Sequence, residues 1–119
     1  MNLVSNTITD QAIIQSRIDE ILKRDQLISL DEEEFDSIDN RIMLITETYP
    51  ISRWNIASGI KDITNKVVVN ITGGDLLTLS VIEEVVTSID VQFDKDITII
   101  YGASITDELD IRVDVFLIR

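Results

Sequence analysis

Residues 67–79 read VVVNITGGDLLTL. Three valines and an isoleucine make Lys66–Thr72 a β-branched, strand-like run. Gly73 and Gly74 end it in a turn that calls for positive φ, which glycine adopts at no steric cost. A helix follows. Ser80 with Glu83 three residues later has the capping-box pattern, and Thr78 is an alternative cap. Leu79, Ile82, Val86 and Ile89 then line one helical face. Further on, Ile97–Tyr101 (ITIIY) reads as a buried strand. Ile111–Ile118 alternates, with Ile111, Val113, Val115 and Leu117 to one side and Arg112 and Asp114 to the other, as in a sheet covered on one face. Burial of Val67, Val69, Ile82, Val86, Ile99, Val113 and Val115 follows.

Working back toward the N-terminus, Thr9–Arg24 carries Ile14, Ile18, Ile21 and Leu22 at helical spacing, with Thr9 as N-cap and Asp10 at the positive helix end. Gln26–Leu30 reads as a short strand. An acidic run at Asp31–Asp36 leads into a second expected helix ending near Thr48, with Ile38, Ile42 and Ile45 on its buried face and Pro50 just beyond it. The stretch from Ile51 to Asn65 reads mostly as loop, with Trp54 and Ile56 on the core. The sum is one α+β domain over residues 1–119: a two-layer sandwich with helices on one face of a small mixed or antiparallel sheet.

Composition narrows the chemistry. The net charge is −12, from 22 acidic and 10 basic residues, which argues against phosphate-rich nucleic acid and against an anionic membrane surface. There is no Cys and no His, so thiolate chemistry, disulfides, His-ligated zinc and a Ser-His-Asp triad are all excluded. The first ten residues have neither the basic nor the apolar region of a signal peptide, and no apolar run approaches the roughly 20 residues of a membrane span. A cytoplasmic protein is the expectation.

Three segments together resemble a known family. VVVNITGGDLLTL, then Ile97–Ile105 (ITIIYGASI), then Asp107–Val115 (DELDIRVDV) look like the strand–turn–helix entry and the two closing strands of the C-terminal domain of FtsZ, the tubulin-like cell-division GTPase. The resemblance covers residues 66–118; the first 65 follow the family only in their order of elements. It implies the FtsZ/tubulin C-terminal fold and head-to-tail filaments. In these, each C-terminal domain offers its loop face to the next subunit's nucleotide pocket. It also places a GTPase domain upstream, for which this chain leaves no room. The family's catalytic loop has the pattern N-x-D-x-x-D. Here Asn6-Thr7-Ile8-Thr9-Asp10-Gln11 keeps the Asn, has Ile8 at the first carboxylate and Gln11 at the second, and puts Asp10 one position short.

Each candidate site has a plainer reading beside it. Asn6, Thr9 and Asp10 are either the remnant of that loop, and so an interaction site, or an ordinary helix start; the plainer reading is preferred. Gly73-Gly74 before a helix suits a phosphate, but Asp75 follows and no Lys or Arg is near, so Asn70, Gly73 and Gly74 are read as a structural turn. Asp31, Glu32, Glu33, Glu34, Asp36 and Asp39 lack the glycine of a calcium loop and read as a solvated helix start. Asp107, Glu108 and Asp110 read as a polar turn rather than catalytic carboxylates. Arg53-Trp54 suits a binding hot spot, but a core tryptophan is preferred.

No catalytic, cofactor or metal residue is assigned. The leading function is a non-catalytic FtsZ-like domain whose partner is an FtsZ- or tubulin-type GTPase, or the chain itself. Alternatives are a domain of a longer, divergent FtsZ and a small oligomeric metabolite-binding enzyme using Arg41, Arg53, Lys61 or Lys66 toward anions. A further alternative is a structural domain that self-associates through a sheet edge.

Overall fold

β-Branched runs become strands, and the two isoleucine- and valine-striped segments become the long helices. In chain order the elements are β1 (Thr7–Ile8), α1 (Gln11–Lys23), β2 (Gln26–Ile28), β3 (Arg41–Thr48), α2 (Ser58–Ile63), β4 (Lys66–Gly73), α3 (Leu79–Asp90), β5 (Thr98–Ile105) and β6 (Arg112–Ile118). This is a computed structural model, and it describes residues 7–107 and 109–119. The strands form one mixed sheet in the order β1-β3-β6-β4-β5-β2. β4 and β5 are parallel, joined across α3, and every other neighbouring pair is antiparallel. The α+β class and the shared sheet of the three C-terminal strands are as expected.

The helices occupy both faces of this sheet, not one. Ile82, Val85 and Ile89 of α3 pack with Val67, Val69, Ile71, Val113, Val115 and Leu117. On the opposite face Ile14, Ile18 and Ile21 of α1 pack with Leu44, Val68, Phe116 and Ile118, and Phe35 meets Phe116 edge-on at 4.9 Å. Each fully buried aliphatic side chain contributes about 1.5–3 kcal/mol. Asp114 therefore lies beneath α1 and is fully buried, where the alternation of β6 alone suggested solvent.

Several local expectations are corrected. The helix expected up to Thr48 is instead two single 3-10 turns, Glu32–Phe35 and Ile38–Asn40, followed by strand β3. β3 is covered on both faces, so Met43, Leu44 and Ile45 are buried in succession, and its Ile residues satisfied a helical period by coincidence. Ile38 is exposed. The 51–65 stretch holds the short helix α2. Asp10, not Thr9, caps α1: its Oδ1 accepts the Ala12 N–H at 2.9 Å. Thr78 caps α3 by accepting from the Val81 N–H. In α3, Val85 takes the buried position expected of Val86, and Leu79 is exposed; Val86 and Ile99 are only half-buried. The Gly73-Gly74 turn uses no positive φ; among the described residues only Asp36 does, at 56°. Gly73 is the last residue of β4, and Asn70 sits inside that strand rather than in the turn.

Gly102 has a stricter role. A Cβ there would stand 2.5 Å from Leu30 Cγ and 2.9 Å from the Ile28 carbonyl oxygen, because the chain leaving β2 folds directly over β5. Gly102→Ala should cost about 1–3 kcal/mol in urea denaturation. Adding Leu30→Ala should recover none of the clash with the Ile28 carbonyl, only that with Leu30. A Gly102→Ala variant with parental stability would show that this crossing is loose.

Candidate functional site: the start of the first helix and the sheet face beneath it

The resemblance focuses attention on the entry to α1, and Asn6 lies outside the described residues. Ile8, at the first carboxylate position, belongs to β1, pairs with Leu44 and packs on the α1-side core. Thr9 and Asp10 are exposed, and Asp10 is committed to capping. Gln11, at the second carboxylate position, turns inward: its Nε2 donates to the Arg41 carbonyl oxygen at 2.8 Å. Its Oε1 is buried without a hydrogen-bond partner among the described residues. Arg41 is locked in turn, donating to the carbonyl oxygens of Phe35 and Asp36 and to Gln15 Oε1. The structure thus brings Ile8, Asp10 and Gln11 together at the helix start, with the one carboxylate among them used as a cap.

Sequence reading missed a polar layer between α1 and the sheet. Arg17 Nη1 donates to Asp114 Oδ1 at 2.5 Å and to Thr46 Oγ1 at 2.9 Å, and Arg112 Nε donates to Asp114 Oδ2 at 3.2 Å. Glu20 pairs with both Arg24 and Arg112, and Arg24 reaches Thr72. Asn70 bridges Thr72 and Ser104, all three buried. The signal was present in α1 and its C-cap: Arg17 and Arg24 sit three residues after Ile14 and Ile21 of the buried stripe. The carboxylates here are paired structurally, and the layer is closed over by α1.

On the other face, Trp54 is a core residue, 7% exposed and edge-on to Phe93 at 6.0 Å. Its Nε1 donates to Glu47 at 2.5 Å, and Ser52 Oγ donates to the same carboxylate at 2.7 Å. Arg53 is exposed and lines a small pocket together with Glu47, Ser52 and Trp54. Among the described residues no group of His, Cys, Asp or Glu is arranged to hold a metal ion, and no helix is long and apolar enough to cross a membrane. Asp31, Glu32 and Glu33 are exposed on the 3-10 turn, and Asp107 and Asp110 are exposed near the β5–β6 turn. Glu108 lies outside the described residues.

Fold and site define a mixed-sheet domain whose first-helix entry is engaged in strand pairing, helix capping and a hydrogen bond to Arg41. Its family follows from comparison. The model of the FtsZ family C-terminal domain matches residues 57–119, and the chain belongs to that family. No curated protein matches it. Among solved structures, a single-site mutant of FtsZ from M. jannaschii is similar at 21% identity and a TM-score of 0.59, covering 92% of this chain and 39% of that one. An empty FtsZ dimer from M. jannaschii is similar at 20% identity and a TM-score of 0.60, covering 92% and 37%. These likenesses show the fold, and the chain spans about two-fifths of the length of the FtsZ chains it matches.

The loop after β3 is fastened to α3 by one titrating contact. The Tyr49 hydroxyl donates to Glu84 Oε2 at 2.7 Å. That hydrogen bond first, then slight desolvation, then the Glu84 charge, raise the phenol above its ordinary 10.0. The neutral form is the one held, so this contribution to stability is complete below pH 10.0 and fades as pH climbs through the folded value. A spectrophotometric tyrosine titration should show the highest step moving down in Glu84→Gln and vanishing in Tyr49→Phe. Superimposable curves for parent and Glu84→Gln would refute the contact.

Proposed function

We propose that this chain is a non-catalytic FtsZ-family domain that binds FtsZ-type filaments and limits their growth. The observation that carries the proposal is the state of the α1 entry in a chain of this family: Ile8 is a paired strand residue, Asp10 a helix cap and Gln11 a ligand of the Arg41 carbonyl. Head-to-tail contacts are heterologous, and growth continues only where each subunit carries both surfaces. Used without a nucleotide-binding domain attached, the domain of residues 1–119 would present only the loop face, occupy one filament end and offer no pocket to the next subunit. It also completes the neighbour's active site poorly, since neither an isoleucine nor an engaged glutamine takes a proton from water.

Sedimentation of an FtsZ from the same source with increasing amounts of this chain tests the proposal. Substoichiometric loss of pelleted polymer, with lower GTP turnover, is expected. Unchanged pelleting at equimolar addition would sink it. If charge steers the encounter, with −12 on this side, raising the salt should weaken inhibition where the partner's face is basic.

The proposal also has the chain alone neither binding nor hydrolysing GTP. The glycines of the β4–α3 turn are followed by Asp75, with the exposed Leu76 next to it, and Arg24, which reaches Thr72 beside the turn, is paired with Glu20. Calorimetric titration with GTP should give no heat of binding, and a micromolar affinity would overturn this part of the reading.

A further inference from the structure

β2 covers only part of the outer edge of β5: Gln26 pairs with Ser104 and Ile28 with Ala103. Among the described residues, Thr98–Tyr101 have no strand on that side. Which backbone groups face outward follows from two hydrogen bonds. Thr98 N–H points inward, to the Asn65 carbonyl oxygen at 3.1 Å, and Ile105 N–H points outward, to that of Asp25 at 2.9 Å. Successive residues of a strand alternate, so the N–H and C=O of Ile99 and Tyr101 face outward, the unsatisfied row of an edge strand.

The surroundings specify what such an edge accepts. On the α3 side, Tyr101 and α3 residues Glu83, Val86 and Thr87 line an open cleft of about 190 Å³, wide enough for an apolar side chain. On the α1 side, Leu30 lies against Gly102, and Asp36 binds Lys66, whose register partner is Thr98. The acidic turn Glu32–Phe35 therefore spans the same rows as the open edge, with Glu32 and Glu33 exposed. Lys95, near the start of β5, is turned onto the Asp62 carbonyl oxygen and Asn65. A second copy would set acid against acid, with −12 on each chain.

We propose that the Thr98–Tyr101 edge of β5 is a strand-addition site for an extended segment of another protein in which apolar residues alternate with Lys or Arg. Backbone pairing at Ile99 and Tyr101 supplies affinity. The Tyr101–Val86 cleft takes the apolar side chains, and Glu83, Glu32 and Glu33 take the basic ones. This site is separate from the α1 entry and does not depend on the filament reading.

The probe is an eight-residue, end-capped peptide alternating valine and lysine. On binding, amide exchange at Ile99 and Tyr101 should slow at least about tenfold, the selective protection that new backbone pairing gives. The same peptide N-methylated at alternate residues keeps its charge but cannot pair, and should bind at least about tenfold more weakly. Ile99→Pro removes an outward N–H and spares the β4 ladder, so it should weaken binding to a similar degree. Because Ile99 also packs on the core, the exposed pair Glu32→Lys with Glu33→Lys provides a second reading that leaves the fold alone. Equal binding of the N-methylated peptide, or of one alternating valine and glutamate, would overturn the proposal. So would a concentration-dependent dimer dissolved by Ile99→Pro, which would make a second copy the occupant.

Discussion

A single buried carboxylate organises the α1 side of this domain. Asp114 stands in the middle of the sheet with no exposed side-chain surface, and a charge so placed is tolerated only when it is paired and hydrogen-bonded. Arg17 comes from α1, Thr46 from β3 and Arg112 from β6 itself, so the three elements meet at one point. The rows of the sheet explain the division of labour. Leu44, Phe116, Val68 and Ile100 lie in register in one row, Thr46, Asp114, Asn70 and Gly102 in the next, and Thr48, Arg112, Thr72 and Ser104 in the one after. Apolar contact in the first row gives adhesion without direction, since any greasy helix face would serve. Ion pairing in the other two fixes how far along the sheet α1 slides and which way it turns.

That arrangement also explains which parts of the fold were legible. The strand–helix–strand order of the β4–α3–β5 unit was legible because its apolar runs and striped helix are local signals; its parallel pairing and the absence of a positive-φ glycine were not. The one-sided sheet was not, because Asp114 and Arg112 look like solvent residues until a helix with two inward arginines is placed above them. The β3 segment failed for a related reason. A strand buried on both faces shows a continuous run, Met43-Leu44-Ile45, and such a run fits a helical stripe as well as it fits a strand. Only its partners, β1 and β6, decide the matter, and they lie far away in sequence.

The candidate site was half legible. The resemblance sets Ile8 and Gln11 where the family has carboxylates, and the structure adds how each is engaged: one is in a ladder, the other is hydrogen-bonded to Arg41. The capping role of Asp10 over Thr9 turns on backbone geometry that composition does not encode. Trp54 shows the reverse case. Its burial was expected, but its partner Glu47 was not, since a glutamate seven residues upstream in an expected helix gave no reason to meet the indole.

The position of β6 has a consequence for how the protein is made. It is the last element in chain order, yet it lies between β3 and β4. A ribosome releases the chain from its N-terminus at about 5–20 residues per second. Until β6 emerges, β3 has only the two-residue β1 beside it, and β4 has β5 alone. The two halves of the sheet then wait as separate, unfinished edges, and the insertion of one late strand between them closes both at once. Folding of this domain thus waits on the synthesis of its last strand, and its nascent form, with two open edges, is the state in which chaperone contact matters most.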